Sequence, residues 1–291
     1  MPPDAPVATQ FSPVSRELDS VVTSFVQARA TDGRGGVSVW LGEPGGRASY
    51  TLEEAVTHYA ASTMKLPLLV AAYRRHERGE IDLDGPVPVH NDFRSVADGS
   101  GFSLAQTDDQ DDDTWDLLGS TASLRRLVHH AIVKSGNLAT NLALQHVGTA
   151  EVAAVLADAG CTPATALPRG IEDAAARRAG LDNLVTAADL ARVIGAVAER
   201  RLGPESMCRE VEAVLAQQEH RDKIPAGLPE GTYVANKTGW VTGAAHDVAL
   251  VRPEGSAAYV LAVCTTIDVP DEVASALIAR VSRVAWQAMT E

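Results

Sequence analysis

The stretch His58-Tyr59-Ala60-Ala61-Ser62-Thr63-Met64-Lys65-Leu66-Pro67-Leu68-Leu69-Val70 decides how the rest of this chain is read. A serine and a lysine three residues apart run into an unbroken apolar segment, the pattern of the first turns of a buried helix. At that spacing the two side chains share one helical face. A serine at a helix start is ordinarily an N-cap. The lysine makes that reading insufficient, because a cation at the positive end of a helix opposes the macrodipole and the apolar run would bury it. Burial lowers an amine's pKa, so the amine can take a proton from the neighbouring hydroxyl. Ser62 is therefore the candidate nucleophile and Lys65 its activating partner.

Lysine usage supports this. The chain has four lysines, Lys65, Lys134, Lys223 and Lys237, while arginine supplies the rest of the 25 basic residues. Arginine cannot release its proton and a buried lysine can, so a chain that spends arginine on its surface has kept lysine for other work. The 291 residues carry a net charge of −13, which argues against nucleic acid or an anionic membrane as partner. Cys161, Cys208 and Cys264 are far apart and odd in number, so they read as ordinary buried thiols without disulfide or metal spacing. Residues 1–10 lack a basic segment and an apolar segment, and no later run is long enough to span a bilayer. The expectation is a cytoplasmic protein as the sequence stands, or a secreted one if a leader has been removed.

Working outward, residues 15–30 show a helical stripe of Leu18, Val21, Val22, Phe25 and Val26, ended by Gly33 to Gly36. Val37, Val39 and Leu41 alternate as a strand, and residues 47–52 return after a turn at Pro44-Gly45-Gly46. The nucleophile helix runs from about Ser62 to Arg78, with a kink expected at Pro67. Residues 80–120 read as irregular, and the acidic run 108–113 reads as a solvated loop because the glycine and glutamate of a calcium loop are missing. Helices are expected over 121–134, 137–146, 149–159, 186–201 and 205–219, with Thr186 and Asp189 resembling a capping box. Strands return at 233–238, 245–251 and 257–266, and a helix over 271–289 closes the chain. The fold class is α+β: an antiparallel sheet built from both chain ends, flanked by terminal helices, with an all-helical insertion. The expected division is 1–55 with 221–291 for the sheet unit and 56–220 for the helical unit, together one catalytic unit.

Two further motifs follow the first in order, Ser135-Gly136-Asn137 at a break between helices and Lys237-Thr238-Gly239 at a strand end. With Ser62-x-x-Lys65 they make the chain resemble the class A serine β-lactamases and their penicillin-binding relatives, over most of its length from about Gly36 onward. Arg169-Gly170-Ile171-Glu172-Asp173 and the run 180–186 add to the resemblance. It implies that Ser62 is acylated, that Lys65 accepts or relays its proton, and that Ser135 passes a proton to the leaving nitrogen. It implies also that Asn137 binds the acyl amide, and that Lys237 and Thr238, beside Gly239, bind the substrate carboxylate. The N–H groups of Ser62 and Trp240 would form the oxyanion hole.

Two departures stand out. Gly136 occupies a position where the family commonly has an aspartate, and Ala176 follows Glu172 by four residues where an asparagine is usual. Glu172 is the candidate deacylation base, with Asp173 and Asp182 nearby and Arg169 or Arg177 as possible ion-pair partners. The function implied is β-lactam hydrolysis, on a monomer acting on a small-molecule substrate without cofactor or metal. The alternatives are a D-alanyl-D-alanine carboxypeptidase or esterase, or a β-lactam-binding module that deacylates poorly. No Gly-x-Ser-x-Gly elbow exists for a Ser-His-Asp hydrolase, and His129 and His130 point to different helix faces, against a shared metal.

Overall fold

The computed structural model describes residues 13–29 and 36–291. The expectations for residues 1–10 and for Gly33 lie outside the described residues. The chain opens with α1 (Pro13–Arg29), β1 (Gly36–Gly42), β2 (Ala48–Leu52), β3 (His58–Tyr59) and α2 (Lys65–Glu77). Short pieces follow: β4 (Pro86–Pro88), β5 (Phe93–Arg94), β6 (Gly101–Phe102), α3 (Asp112–Trp115) and β7 (Thr121–Ser123). Next come α4 (Leu124–Val133), α5 (Asn137–Val147), α6 (Thr149–Asp158), α7 (Ala174–Arg178), β8 (Leu184–Val185), α8 (Ala187–Ala198) and α9 (Glu205–Leu215). The chain ends with β9 (Tyr233–Val241), β10 (Ala244–Arg252), β11 (Tyr259–Thr266) and α10 (Asp271–Thr290).

The main sheet has the order β2-β1-β11-β10-β9 and is antiparallel throughout, so strands from the two chain ends meet where Gly36 pairs with Thr266 and Gly42 with Val260. Because successive side chains point to opposite faces, each strand feeds two cores. Val37, Val39 and Leu41, with Leu261 and Val263, pack under α1 and α10, together with Leu18, Val21, Ile278 and Val281. Val260, Ala262, Cys264, Val248 and Leu250 face the other way and join the core of the helical part. The α+β expectation is met: terminal helices cover one face and α8, with the remaining helices behind it, covers the other.

At the centre of the helical part stands α2, buried on every side from Lys65 to Tyr73 and packed against α4, α5, α6, α8 and α9. A helix apolar all round belongs in a core. The turn before it is tighter than expected, since Ala61–Met64 form a 3-10 helix and the α-helix begins only at Lys65. Pro67 then lies in the first turn of α2, where a missing N–H costs little, and the expected kink is replaced by a change of helix type at its start.

Three other expectations need correction. Residues 121–123 form a strand paired with β4, and Ser123 caps α4 by accepting from Arg126 N. Thr186 caps α8, accepting from Asp189 N at 3.0 Å, but the Asp189 carboxylate does not reach back. It binds Thr162 and Thr165 instead, so the capping box is half made. Cys208 and Cys264 are buried free thiols, whereas Cys161 is half-buried.

Candidate active site

The three motifs come together at one cleft of about 550 Å³, a size usual for small-molecule sites. Ser62, Ser135, Asn137, Glu172 and Trp240 all line it, with Tyr59, Asp108, Arg169, Ile171 and Arg177 among the other wall residues. Ser62 arrives on the 3-10 turn, Ser135 and Asn137 on the break between α4 and α5, Trp240 on β9, and Glu172 on the loop before α7.

Strand β9 lies hard against the 3-10 turn that carries Ser62. A Cβ on Gly239 would stand 2.7 Å from Ser62 N and 2.8 Å from Thr63 N, so only glycine permits the approach. Thr238 and Trp240 flank that glycine, and Lys237 precedes Thr238. The Trp240 ring is held from behind, edge-on to His220 at 4.9 Å between centroids and with Lys223 Nζ 5.0 Å from its own centroid.

Lys65 is fully buried, and its Nζ donates to Ser135 O at 2.6 Å and Asn137 Oδ1 at 2.9 Å, with Ser135 Oγ at the limit of 3.5 Å. Among the described residues no hydrogen bond joins it to Ser62 Oγ. Burial pushes the Lys65 amine down to about 7, against the opposing pull of Asp109 and Asp111. Lys237, equally buried, donates to Ser135 Oγ at 3.1 Å and to Thr238 O at 2.7 Å. Desolvation, and then the nearby Lys65 charge, drive its pKa well below the ordinary lysine value. The Ser135 hydroxyl is thus bracketed by two amines that both resist protonation.

Thr238 departs from the expected role. Its hydroxyl is fully buried and donates to His246 O at 3.1 Å, so it is turned into the sheet and away from the cleft. Lys237 does not line the cleft either; it meets it through the Ser135 hydroxyl.

The Glu172 loop is pinned at several points. Arg169 donates to Asp182 at 2.5 Å, Asn141 accepts from Ile171 N at 2.8 Å and donates to Ile171 O at 2.9 Å, and β8 pairs with β3 just ahead of Ser62. Asp173 caps α7 through Ala176 N and also accepts from Val96 N, which occupies its carboxylate. Asp182 is occupied by Arg169. Of the three acidic candidates Asp182 is the one held in an ion pair among the described residues; Glu172 and Asp173 both line the cleft, and the Asp173 carboxylate is taken up by Ala176 N and Val96 N. Burial lifts the Glu172 carboxyl above the ordinary glutamate value, and Asp108 and Asp109 push the same way, against a hydrogen bond from the Ala105 backbone. Ala176 is fully buried, so no side-chain amide stands four residues after Glu172.

Three of the five described non-glycine residues with positive φ are here: Ala61 at 45°, Ser135 at 62° and Glu172 at 61°. Left-handed backbone at such residues concentrates where a site holds side chains in fixed positions. Composition and spacing missed the acidic run. Asp109 accepts from Asn137 N at 2.7 Å and Leu138 N at 2.8 Å, capping α5, and Asp111 is buried against Thr114 and His130. The signal available was the tryptophan six residues on, since Trp115 Nε1 donates to Asp109 and draws the run inward.

A model of the beta-lactamase enzyme family matches residues 17–289. This chain belongs to the beta-lactamase enzyme family. Solved structures agree on the fold of this family member. A beta-lactamase from Sphaerobacter thermophilus is 26% identical with a TM-score of 0.74, covering 93% of this chain and 97% of that one. A beta lactamase from Xanthomonas campestris is 18% identical with a TM-score of 0.78, covering 96% and 99%. A variant of PBP-A in an acyl-enzyme complex with penicillin G is 21% identical with a TM-score of 0.72, covering 93% and 96%. No curated protein matches the chain. Among the described residues no helix is long and apolar enough to cross a membrane, and no group of three acidic, histidine or cysteine ligands is placed for a metal.

Proposed function

We propose that this family member is a serine β-lactam hydrolase that works through an acyl-enzyme on Ser62. Ser62 Oγ attacks the lactam carbonyl while Lys65 takes its proton, and the N–H groups of Ser62 and Trp240 receive the developing oxyanion. The C–N bond then breaks, and the Ser135 hydroxyl hands a proton to the leaving nitrogen while drawing on the two amines beside it. A substrate carboxylate arriving beside Ser135 favours the protonated form of Lys237 and pairs with it, and Asn137 offers its amide to the acyl side chain. Glu172 activates the water that releases the product, a role its raised pKa suits because a base must first be strong enough to take a proton.

The observation that carries this reading is the Ser135 hydroxyl held between two fully buried lysines beside Ser62 in one cleft. A second reading, an acyl-enzyme that persists as in a penicillin-binding protein, is favoured by one feature: apolar Ala176 replaces a water-orienting amide. Intact-protein mass spectrometry after mixing with penicillin separates them. A transient adduct on Ser62 with release of hydrolysed penicillin supports the first, and an adduct that stays supports the second. No adduct at all, in a protein that still melts cooperatively, removes both.

A further inference from the structure

The middle residue of the Ser135-Gly136-Asn137 turn has no side chain, yet the turn keeps a strained serine in place. We infer that Asp111, from a loop 25 positions upstream of Gly136, is the positioning residue of this turn, its carboxylate filling the space that a side chain on residue 136 would take. This rests on the proposed role of Ser135 and Asn137 in acyl transfer.

The geometry is complementary. A Cβ built on Gly136 would lie 2.7 Å from Asp111 Oδ2, 2.8 Å from its Cβ and 3.2 Å from its Cγ, so the two positions cannot both carry these side chains. Asp111 is buried, and its Oδ2 accepts from Thr114 Oγ1 at 2.5 Å and from His130 Nδ1 at 3.1 Å. A carboxylate only accepts, which places the proton on His130 Nδ1. The same histidine closes the circuit, because its carbonyl accepts from Gly136 N at 3.2 Å. Residue 136 is therefore gripped through its own N–H and against its Cα by one His130–Asp111 pair.

The neighbouring residues complete what the turn lacks. Gly136 is the N-cap residue of α5 without a side chain to cap it, and Asp109 takes that task for the N–H groups of Asn137 and Leu138. Asn137 Nδ2 donates to Asp108 O at 2.9 Å, leaving its Oδ1 turned to Lys65. Asp108 and Asp109 thus set the orientation of Asn137, and Asp111 seats the backbone between Asn137 and Ser135 without contact with the reacting atoms. Asp111 Oδ1 is buried with no hydrogen-bond partner, the position an amide nitrogen would take without losing either of the bonds made by Oδ2.

Four variants of the full chain test this: Asp111→Ala, Asp111→Asn, Gly136→Asp and the exchange pair Asp111→Gly with Gly136→Asp. Each is read by thermal midpoint and by the rate of Ser62 acylation with penicillin. Asp111→Ala acylates about 10- to 100-fold more slowly, the scale set by displacing groups that must be aligned. Asp111→Asn stays close to the parent. Gly136→Asp is damaged in both readouts, and the exchange pair recovers most of the loss. An Asp111→Ala protein that matches the parent in both readouts overturns the inference. So does an exchange pair no better than Gly136→Asp, including the case in which neither folds. If the parent itself is never acylated, the proposed function fails, while the thermal midpoints still decide whether the two positions exchange one side chain.

Discussion

Lys237 Nζ lies 3.1 Å from Ser135 Oγ, the amine fully buried and the serine at the cleft wall. A hydroxyl that can accept from one buried amine and stay within range of another is a proton conduit, and its removal should be felt in chemistry more than in folding. Ser135→Ala is expected to slow acylation by about 10²–10⁴-fold, the usual contribution of a positioned proton donor. Stopped-flow acylation beside a melting curve checks it. A rate within threefold of the parent would take Ser135 out of the mechanism.

Lys65 must be neutral to accept the Ser62 proton, and its amine is held at about 7. The acylation rate should therefore rise close to tenfold per pH unit below about 7 and level off above it. Lys65→Arg keeps a cation that cannot be deprotonated, so it should fold and fail to acylate at any pH. A flat profile from pH 5.5 to 8.5 contradicts this assignment.

Glu172 acts on water only when ionised, and its pKa is raised by burial and by Asp108 and Asp109. Deacylation should accordingly fail on acidification at a higher pH than an ordinary glutamate would set. Glu172→Gln should leave acylation intact and lengthen the life of the adduct by about 10² or more. Unchanged turnover in that variant assigns the water to another group.

His58 and His246 are buried with pKa values near 4, burial being the main cause in each. Tautomers are set by neighbours: Ser38 Oγ donates to Glu53 O, so His58 Nε2 donates to Ser38, and His246 Nε2 donates to Tyr59 O while its Nδ1 accepts from Thr265 N. A folded pKa below the unfolded value of about 6.5 means the unfolded chain binds more protons between the two. Stability from each histidine is then whole above pH 6.5 and lost as pH falls to 4, on the order of 3 kcal/mol each. Asp247, raised to about 6 by burial, works in the opposite direction. Urea titrations at pH 7.5 and 4.5 should show a shallower pH dependence for His58→Asn than for the parent, and equal slopes would discount the histidine.

Much of this molecule could be read from residue order. Val37, Val39 and Leu41, and the apolar run at 259–264, announced strands through local alternation or length, and α2 through its continuous apolar run. The three motifs pointed to one site because each pairs a reactive side chain with a helix or strand end. The acidic run was harder to read: Trp115 was a local signal for Asp109, but the main-chain groups that Asp109 caps lie 28 and 29 residues away, and nothing in the run itself marks Asp111 as the aspartate buried against Thr114 and His130. The same holds for Thr238, whose hydroxyl direction depends on the register that sets it opposite Asp247 and next to His246. Pro67 misled for a related reason, since it reports a local constraint whose cost depends on whether the helix starts at Ser62 or at Lys65.

The left-handed backbone at Ala61, Ser135 and Glu172 has an evolutionary reading. Each such residue costs the folded state about 1–3 kcal/mol, and glycine would relieve part of it. Selection for heat resistance and selection for turnover therefore act on the same three positions in opposite senses, and lineages that harden this scaffold should do so at the far ends of the chain first.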